Sequence, residues 1–114
     1  MGKRRSGQIE PTGLVRQILS FDPWGDGKGD DPYRVLRNGL VTARKEYECV
    51  ICFGPIEIGE THRAQTEVNL DGSKTVKTFR FCSECCAAMP SWLTDGEAIT
   101  ARYALGERRA GRRQ

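Results

Sequence analysis

Apolar residues recur at helical spacing in residues 12–21, where Leu14, Val15, Ile18 and Leu19 fall on one side behind Thr12. A short amphipathic helix is predicted there, with Thr12 as its N-cap. Residues 22–32 hold four aspartates among glycines and prolines around Trp24 and show no apolar period, which predicts a loop. Asp31-Pro32 has the form of an N-cap with proline at the first helical position, and Asn38-Gly39 that of a stop, so a second short helix is predicted between them. From Lys45 onward the pattern turns to strand. Residues 61–70 and 74–81 are two β-prone runs around Asp71-Gly72, a strong hairpin signal. In the second run Lys77, Phe79 and Phe81 share one face and Val76, Thr78 and Arg80 the other. Residues 83–89 switch to helix formers and stop at Pro90. Thr94 with Glu97 three residues later fits a capping box, opening a last helix to about Arg109.

These elements make a small α+β protein with little to fill its core. Of 114 residues only 19 are Ile, Leu or Val, and a core of that size contributes about 3–5 kcal/mol of net stability unaided. The five cysteines are the obvious supplement. Four of them form Cys49-x2-Cys52, then 29 residues, then Cys82-x2-Cys85. Two such pairs offer four thiolates to one tetrahedral ion. Cys49-Val-Ile-Cys52-Phe-Gly54-Pro55 has the glycine and proline of a knuckle turn, whose amides point at sulfur. Cys82-Ser-Glu-Cys85 falls on the first turn of a helix, where i and i+3 share a face and the helix dipole favours thiolate. Knuckle, β-hairpin and helix in that order predict a zinc-stabilised treble-clef-like module flanked by short helices, with one structural Zn2+ on Cys49, Cys52, Cys82 and Cys85. Zinc is preferred to iron because the second pair lacks a knuckle of its own. A redox role for Cys49 and Cys52 would need the CxxC to open a helix, which Phe-Gly-Pro does not do.

Cys86 reads as a small buried hydrophobe and His62 as a surface or half-buried strand residue, although either could in principle substitute as a ligand. Arg44, Lys45, Arg63 and Arg80 are near enough in sequence to offset thiolate charge, against the plainer reading of strand-edge cations. Four thiolates leave zinc no open position. With one histidine and no Ser-His-Asp or Cys-His set, no catalytic constellation is present, and the chain is expected not to be an enzyme. Asp22, Asp26, Asp30 and Asp31 lack calcium-loop spacing.

The net charge of +3 is unevenly placed. Residues 1–5 carry +3 from Lys3, Arg4 and Arg5, residues 102–114 carry +4 from five arginines less Glu107, and the body between them carries −4. The expected organisation is a disordered basic arm over 1–11, a helical extension with an acidic loop over 12–42, the zinc module over 43–93, and a C-terminal helix with a basic tail over 94–114. Lys3, Arg4, Arg5, Arg108, Arg109, Arg112 and Arg113 are candidate nucleic-acid contacts. The acidic body suits a protein partner instead, with Trp24 and Trp92 as candidate anchors unless they are buried in the core. No run of 18 apolar residues exists, and no apolar stretch follows the basic start, so neither a membrane span nor a secretory leader is expected. Paired cysteines in odd total number point to a reducing, cytoplasmic setting.

The stretch from Ala43-Arg-Lys through Cys49-Val-Ile-Cys-Phe-Gly-Pro to Ile58-Gly-Glu-Thr-His-Arg63 resembles a recurrent small zinc domain of bacteriophage and prophage proteins. The same order is similar to the poly(ADP-ribose) polymerase type of zinc finger. In both families the third ligand is commonly histidine, whereas this chain has Cys82 there; the change keeps zinc binding but weakens the link to the polymerase-type finger and its recognition of DNA breaks. The resemblance spans residues 43–89. It implies a non-enzymatic, zinc-stabilised binding or regulatory protein, phage-encoded and associated with nucleic acid or its machinery, acting inside the host cell. The alternative is a protein–protein interaction factor or inhibitor of a host enzyme or defence system, with no direct nucleic-acid contact. A treble-clef nuclease of the HNH kind is disfavoured by the missing histidines.

Overall fold

The computed structural model describes residues 13–24, 33–70 and 72–112. The basic arm, the Thr12 cap, the acidic loop beyond Trp24, the Asp31-Pro32 pair, Asp71 and Arg113 lie outside the described residues. Helix α1 spans Gly13–Ser20, burying Val15 and Ile18 while Leu14 faces solvent.

The second predicted helix is instead a strand, β1, over Tyr33–Thr42. It pairs antiparallel along its whole length with β4 (Thr61–Asn69), with a bulge between Val35 and Arg37. Local signals lost to tertiary pairing: a long neighbouring strand offers β1 a full ladder, and β preference depends on such context. Asn38 and Gly39, which read as a helix stop, sit in mid-strand. The Asn38 amide donates to the Leu19 carbonyl at 2.9 Å, tying α1 to the sheet. The expected hairpin is present, with β4 also pairing with β5 (Val76–Phe81), so the sheet order is β1-β4-β5. Two short strands, β2 (Tyr47–Glu48) and β3 (Pro55–Ile56), pair separately on either side of the knuckle. Helix α2 covers Ser83–Ala88 and runs into a 3-10 turn over Met89–Leu93 that contains Pro90. Helix α3 covers Glu97–Arg112. The expected capping box is replaced: the Glu97 amide donates to Asp95 Oδ1 and the Ile99 amide to Ser91 Oγ. Among the described residues no helix is long and apolar enough to cross a membrane.

The core gathers Ile18, Ile51, Ile56, Phe81, Met89 and Ile99 around the cysteines. The inward row of β4 is polar, a feature that alternation alone would not predict. Arg63, Gln65 and Glu67 are all buried. The Arg63 guanidinium donates to Asn38 Oδ1 at 2.9 Å, to the Ile18 and Phe21 carbonyls at 2.9 and 3.0 Å, and to Gln65 Oε1 at 2.6 Å. Gln65 then donates to Glu67 Oε2 at 2.7 Å, and Trp24 Nε1 donates to the same oxygen at 2.8 Å. This chain links a buried cation to a buried anion through neutral groups and stitches α1 and the Trp24 segment to the sheet. Low local dielectric makes such a network strong when complete and costly when broken. Arg63→Leu removes the donor to the Phe21 carbonyl, Asn38 Oδ1 and Gln65 Oε1 and leaves the Ile18 carbonyl only its bond from the Phe21 amide; it is expected to destabilise the chain by about 3 kcal/mol or more in urea unfolding. Arg34→Leu, at an exposed position of β1, should change stability by less than about 0.5 kcal/mol. Equal effects of the two variants would contradict this role for Arg63.

Candidate metal centre

The turn after β2 places Cys49 and Cys52, and the start of α2 places Cys82 and Cys85. In the first turn the Cys49 amide donates to the Gly54 carbonyl and the Phe53 amide to the Cys49 carbonyl, both at 2.9 Å. Phe53 takes the left-handed conformation at φ 59°, which closes the loop. Its geometry aims amides at sulfur: Ile51 N lies 3.4 Å from Cys49 Sγ and Gly54 N 3.4 Å from Cys52 Sγ. Cys82 is the N-cap of α2, its sulfur accepting from the Cys85 amide at 3.4 Å. Glu60, just after Gly59 (φ 90°), holds that helix end in place, accepting from the Ser83 amide and hydroxyl at 2.8 and 2.9 Å. Those two bonds keep the Glu60 carboxyl below the ordinary carboxylate range.

The four sulfurs converge. All lie within 4.8 Å of one another, and all four cysteines are buried. Cys49 Sγ and Cys85 Sγ are 3.7 Å apart, as are Cys52 Sγ and Cys82 Sγ. A tetrahedron with metal–sulfur bonds of about 2.3 Å has edges of about 3.8 Å, so the spacing fits one ion, and it is far too long for disulfides. The proton balance points the same way. Hydrogen bonding within the cluster, with Cys82 first and then Cys85, holds the Cys49 thiol well below its usual range, and the bond with Cys49 raises that of Cys85. Four thiolates packed this closely in a buried setting repel one another and require a cation. The donor set therefore fits a single metal ion held by four sulfurs.

Helix α3 closes the centre with one stripe of residues. Arg102 Nε lies 3.2 Å from Cys85 Sγ and its NH2 reaches Cys82 Sγ at 4.0 Å. Gly106 packs against the knuckle so tightly that an added Cβ would run into the Ile51 carbonyl oxygen. Arg109 donates to the Cys52 carbonyl at 2.9 Å. Positions 102, 106 and 109 follow i, i+4, i+7 spacing, and that spacing was the sequence signal available for a helix face meeting the metal turn. Arg102, rather than Arg44, Lys45, Arg63 or Arg80, is the cation on the sulfurs.

The other sequence candidates are dispersed. His62 is fully buried rather than half-exposed, its Nδ1 3.3 Å from the Glu60 carbonyl and its Nε2 3.0 Å from Arg80 NH1, outside the sulfur cluster. Cys86 is buried with its sulfur 3.4 Å from the Phe81 carbonyl, and burial pushes its thiol up to about 12. Trp24 is packed edge-on against Phe79 at 4.8 Å rather than presented as an anchor. Trp92 is 44% exposed beside Leu93. Arg108 is exposed, and Arg109 is committed to the knuckle. Lys3, Arg4, Arg5 and Arg113 lie outside the described residues. No family model, curated protein or solved structure matches the chain.

Two variants test the closure by α3. Gly106→Ala should push the helix off the knuckle and lower stability by about 2 kcal/mol or more, with faster metal loss to a chelator. Arg102→Gln should weaken metal retention about 10- to 100-fold, the usual effect of removing a group that hydrogen-bonds a ligand. Wild-type chelator kinetics in both would contradict the arrangement.

Proposed function

We propose that the chain is a non-enzymatic, zinc-stabilised binding protein working with nucleic acid or with the proteins that handle it, built on a treble-clef-like module. The observation that carries this reading is the closed set of four buried sulfurs. A tetrahedral four-sulfur site suits zinc or iron, and zinc is preferred because the Cys82–Cys85 pair sits on a helix start. Four thiolates leave no exchangeable position, so the metal contributes folding free energy and does not activate water. The order of knuckle, β4–β5 hairpin and α2 supports the treble-clef-like reading. Among the candidate phosphate contacts, Lys3, Arg4, Arg5, Arg108, Arg112 and Arg113 carry the basic ends, and Arg109 is withdrawn by its bond to Cys52. The phage-encoded origin rests on the resemblance over residues 43–89. The exposed Trp92–Leu93 pair favours a second reading, a protein-interaction factor or inhibitor without direct nucleic-acid contact.

Metal analysis by mass spectrometry should return one zinc per chain, and Cys49→Ser or Cys85→Ser should lose both metal and fold. A folded, metal-free chain would contradict the proposal. Pull-down from host lysate with and without nuclease separates the two readings: recovery that depends on nucleic acid supports the first, and a partner recovered regardless supports the second.

A further inference from the structure

The two faces of the three-stranded sheet differ in kind. One carries the buried Arg63–Gln65–Glu67 row; the other opens on a groove of about 450 Å3. Ala64 and Thr66 of β4 form its floor. Gly39, paired with Ala64, extends that floor, and a Cβ added there would meet nothing within 4 Å. Around the floor stand Arg37, Arg44, Arg80 and Tyr47, and among the described residues no carboxylate lines the groove. In a body of net charge −4 this is a local concentration of positive charge. Among the described residues none of the three arginines has an ion-pair partner. By contrast, the cleft beside Cys52 and Cys82 sets Glu57, Glu60 and Glu84 against its arginines.

The groove is also pre-shaped. The Arg80 guanidinium lies 3.9 Å over the Tyr47 ring and 3.0 Å from His62 Nε2. His62 is itself buried, with Nδ1 toward the Glu60 carbonyl, so it can accept from Arg80 and hold it. Arg37 and Arg80 stand on opposite edge strands, two pairing rows apart, because Arg37 opposes Thr66 and Arg80 opposes Ala64. With strands about 4.8 Å apart and residues about 3.4 Å along each, their Cα atoms lie about 12 Å apart. That separation lets them meet different phosphates of one extended strand. The Tyr47–Arg80 pair adds a flat surface for stacking, and the small floor residues leave room for a ring. A duplex presents no unstacked base to that surface, and an acidic peptide would use the charges but not the stack.

We propose that this groove binds single-stranded nucleic acid, with Arg37, Arg44 and Arg80 on phosphates and a base against the Tyr47–Arg80 pair. The proposal rests on the nucleic-acid reading above and moves the principal contact from the basic ends to the sheet. Fluorescence anisotropy of the zinc-loaded full chain with a labelled dT12 oligonucleotide tests it. Arg37→Glu with Arg44→Glu changes two exposed side chains and should leave zinc content unchanged. Binding should weaken about tenfold or more, and the log–log salt slope should fall in magnitude by about 1.4, two contacts at about 0.7 each. Should charge reversal lower zinc content, Arg37→Gln with Arg44→Gln gives the same loss of slope. The companion variant replaces Lys3, Arg4, Arg5, Arg108, Arg112 and Arg113 by serine and keeps Arg109. If the groove variant binds like wild type while the serine variant does not, the groove proposal fails and the nucleic-acid reading stands. If wild type does not bind dT12, the groove proposal fails, and direct nucleic-acid contact fails with it only where duplex is not bound either. Duplex bound as tightly as dT12, or displacement of dT12 by polyglutamate as efficient as by unlabelled dT12, also overturns the groove as a single-strand site.

Discussion

Four cysteine sulfurs held within 4.8 Å of one another, in a buried setting, can all ionise only around a cation. Like charges at such separations repel strongly where water is scarce. The metal-like spacing of the sulfurs is thus the constraint on which the other elements depend. It fixes the knuckle to the start of α2, and each lies on one side of the β4–β5 hairpin in the chain. Aliphatic residues are too few to set that relation by burial alone.

The rest of the chain is organised to serve this contact and to extend from it. Helix α3 brings one glycine and two arginines to the centre: Gly106 permits the approach, Arg102 offsets thiolate charge, and Arg109 satisfies the knuckle carbonyl. On the other side of the core, Arg63 binds carbonyls from α1 and Phe21 and reaches Glu67 through Gln65. That network is the counterpart of the cysteine cluster: each substitutes directed links for missing apolar area. With the inner face of the sheet filled this way, the outer face is left to Arg37, Arg44, Tyr47 and Arg80. His62 joins the two sides, buried against the backbone yet bonded to an arginine of the groove.

How much of this was legible depended on whether the signal was local. The CxxC pairs, the hairpin, α1 and the start of α2 follow from spacing and periodicity over a few residues, and they were read correctly from those. Residues 33–42 were not, because Pro32, Asn38 and Gly39 carry helix-boundary chemistry while the decisive partner, β4, begins almost twenty residues later in the chain. Arg63 looked like a strand-edge cation since its acceptors, the carbonyls of Ile18 and Phe21, are more than forty residues away. Arg102 was counted with the basic tail for the same reason: nothing near it in sequence names a sulfur as its partner. Trp24 was left open between anchor and core because its partners, Glu67 and Phe79, come from the hairpin.

Zinc K-edge X-ray absorption on the purified full-length chain examines the founding contact without perturbing it. The structure predicts four sulfur scatterers at about 2.3 Å and no nitrogen or oxygen in the first shell. A shell containing imidazole nitrogen or water oxygen, or fewer than four sulfurs, would contradict the closed four-cysteine centre from which the rest of the fold has been argued.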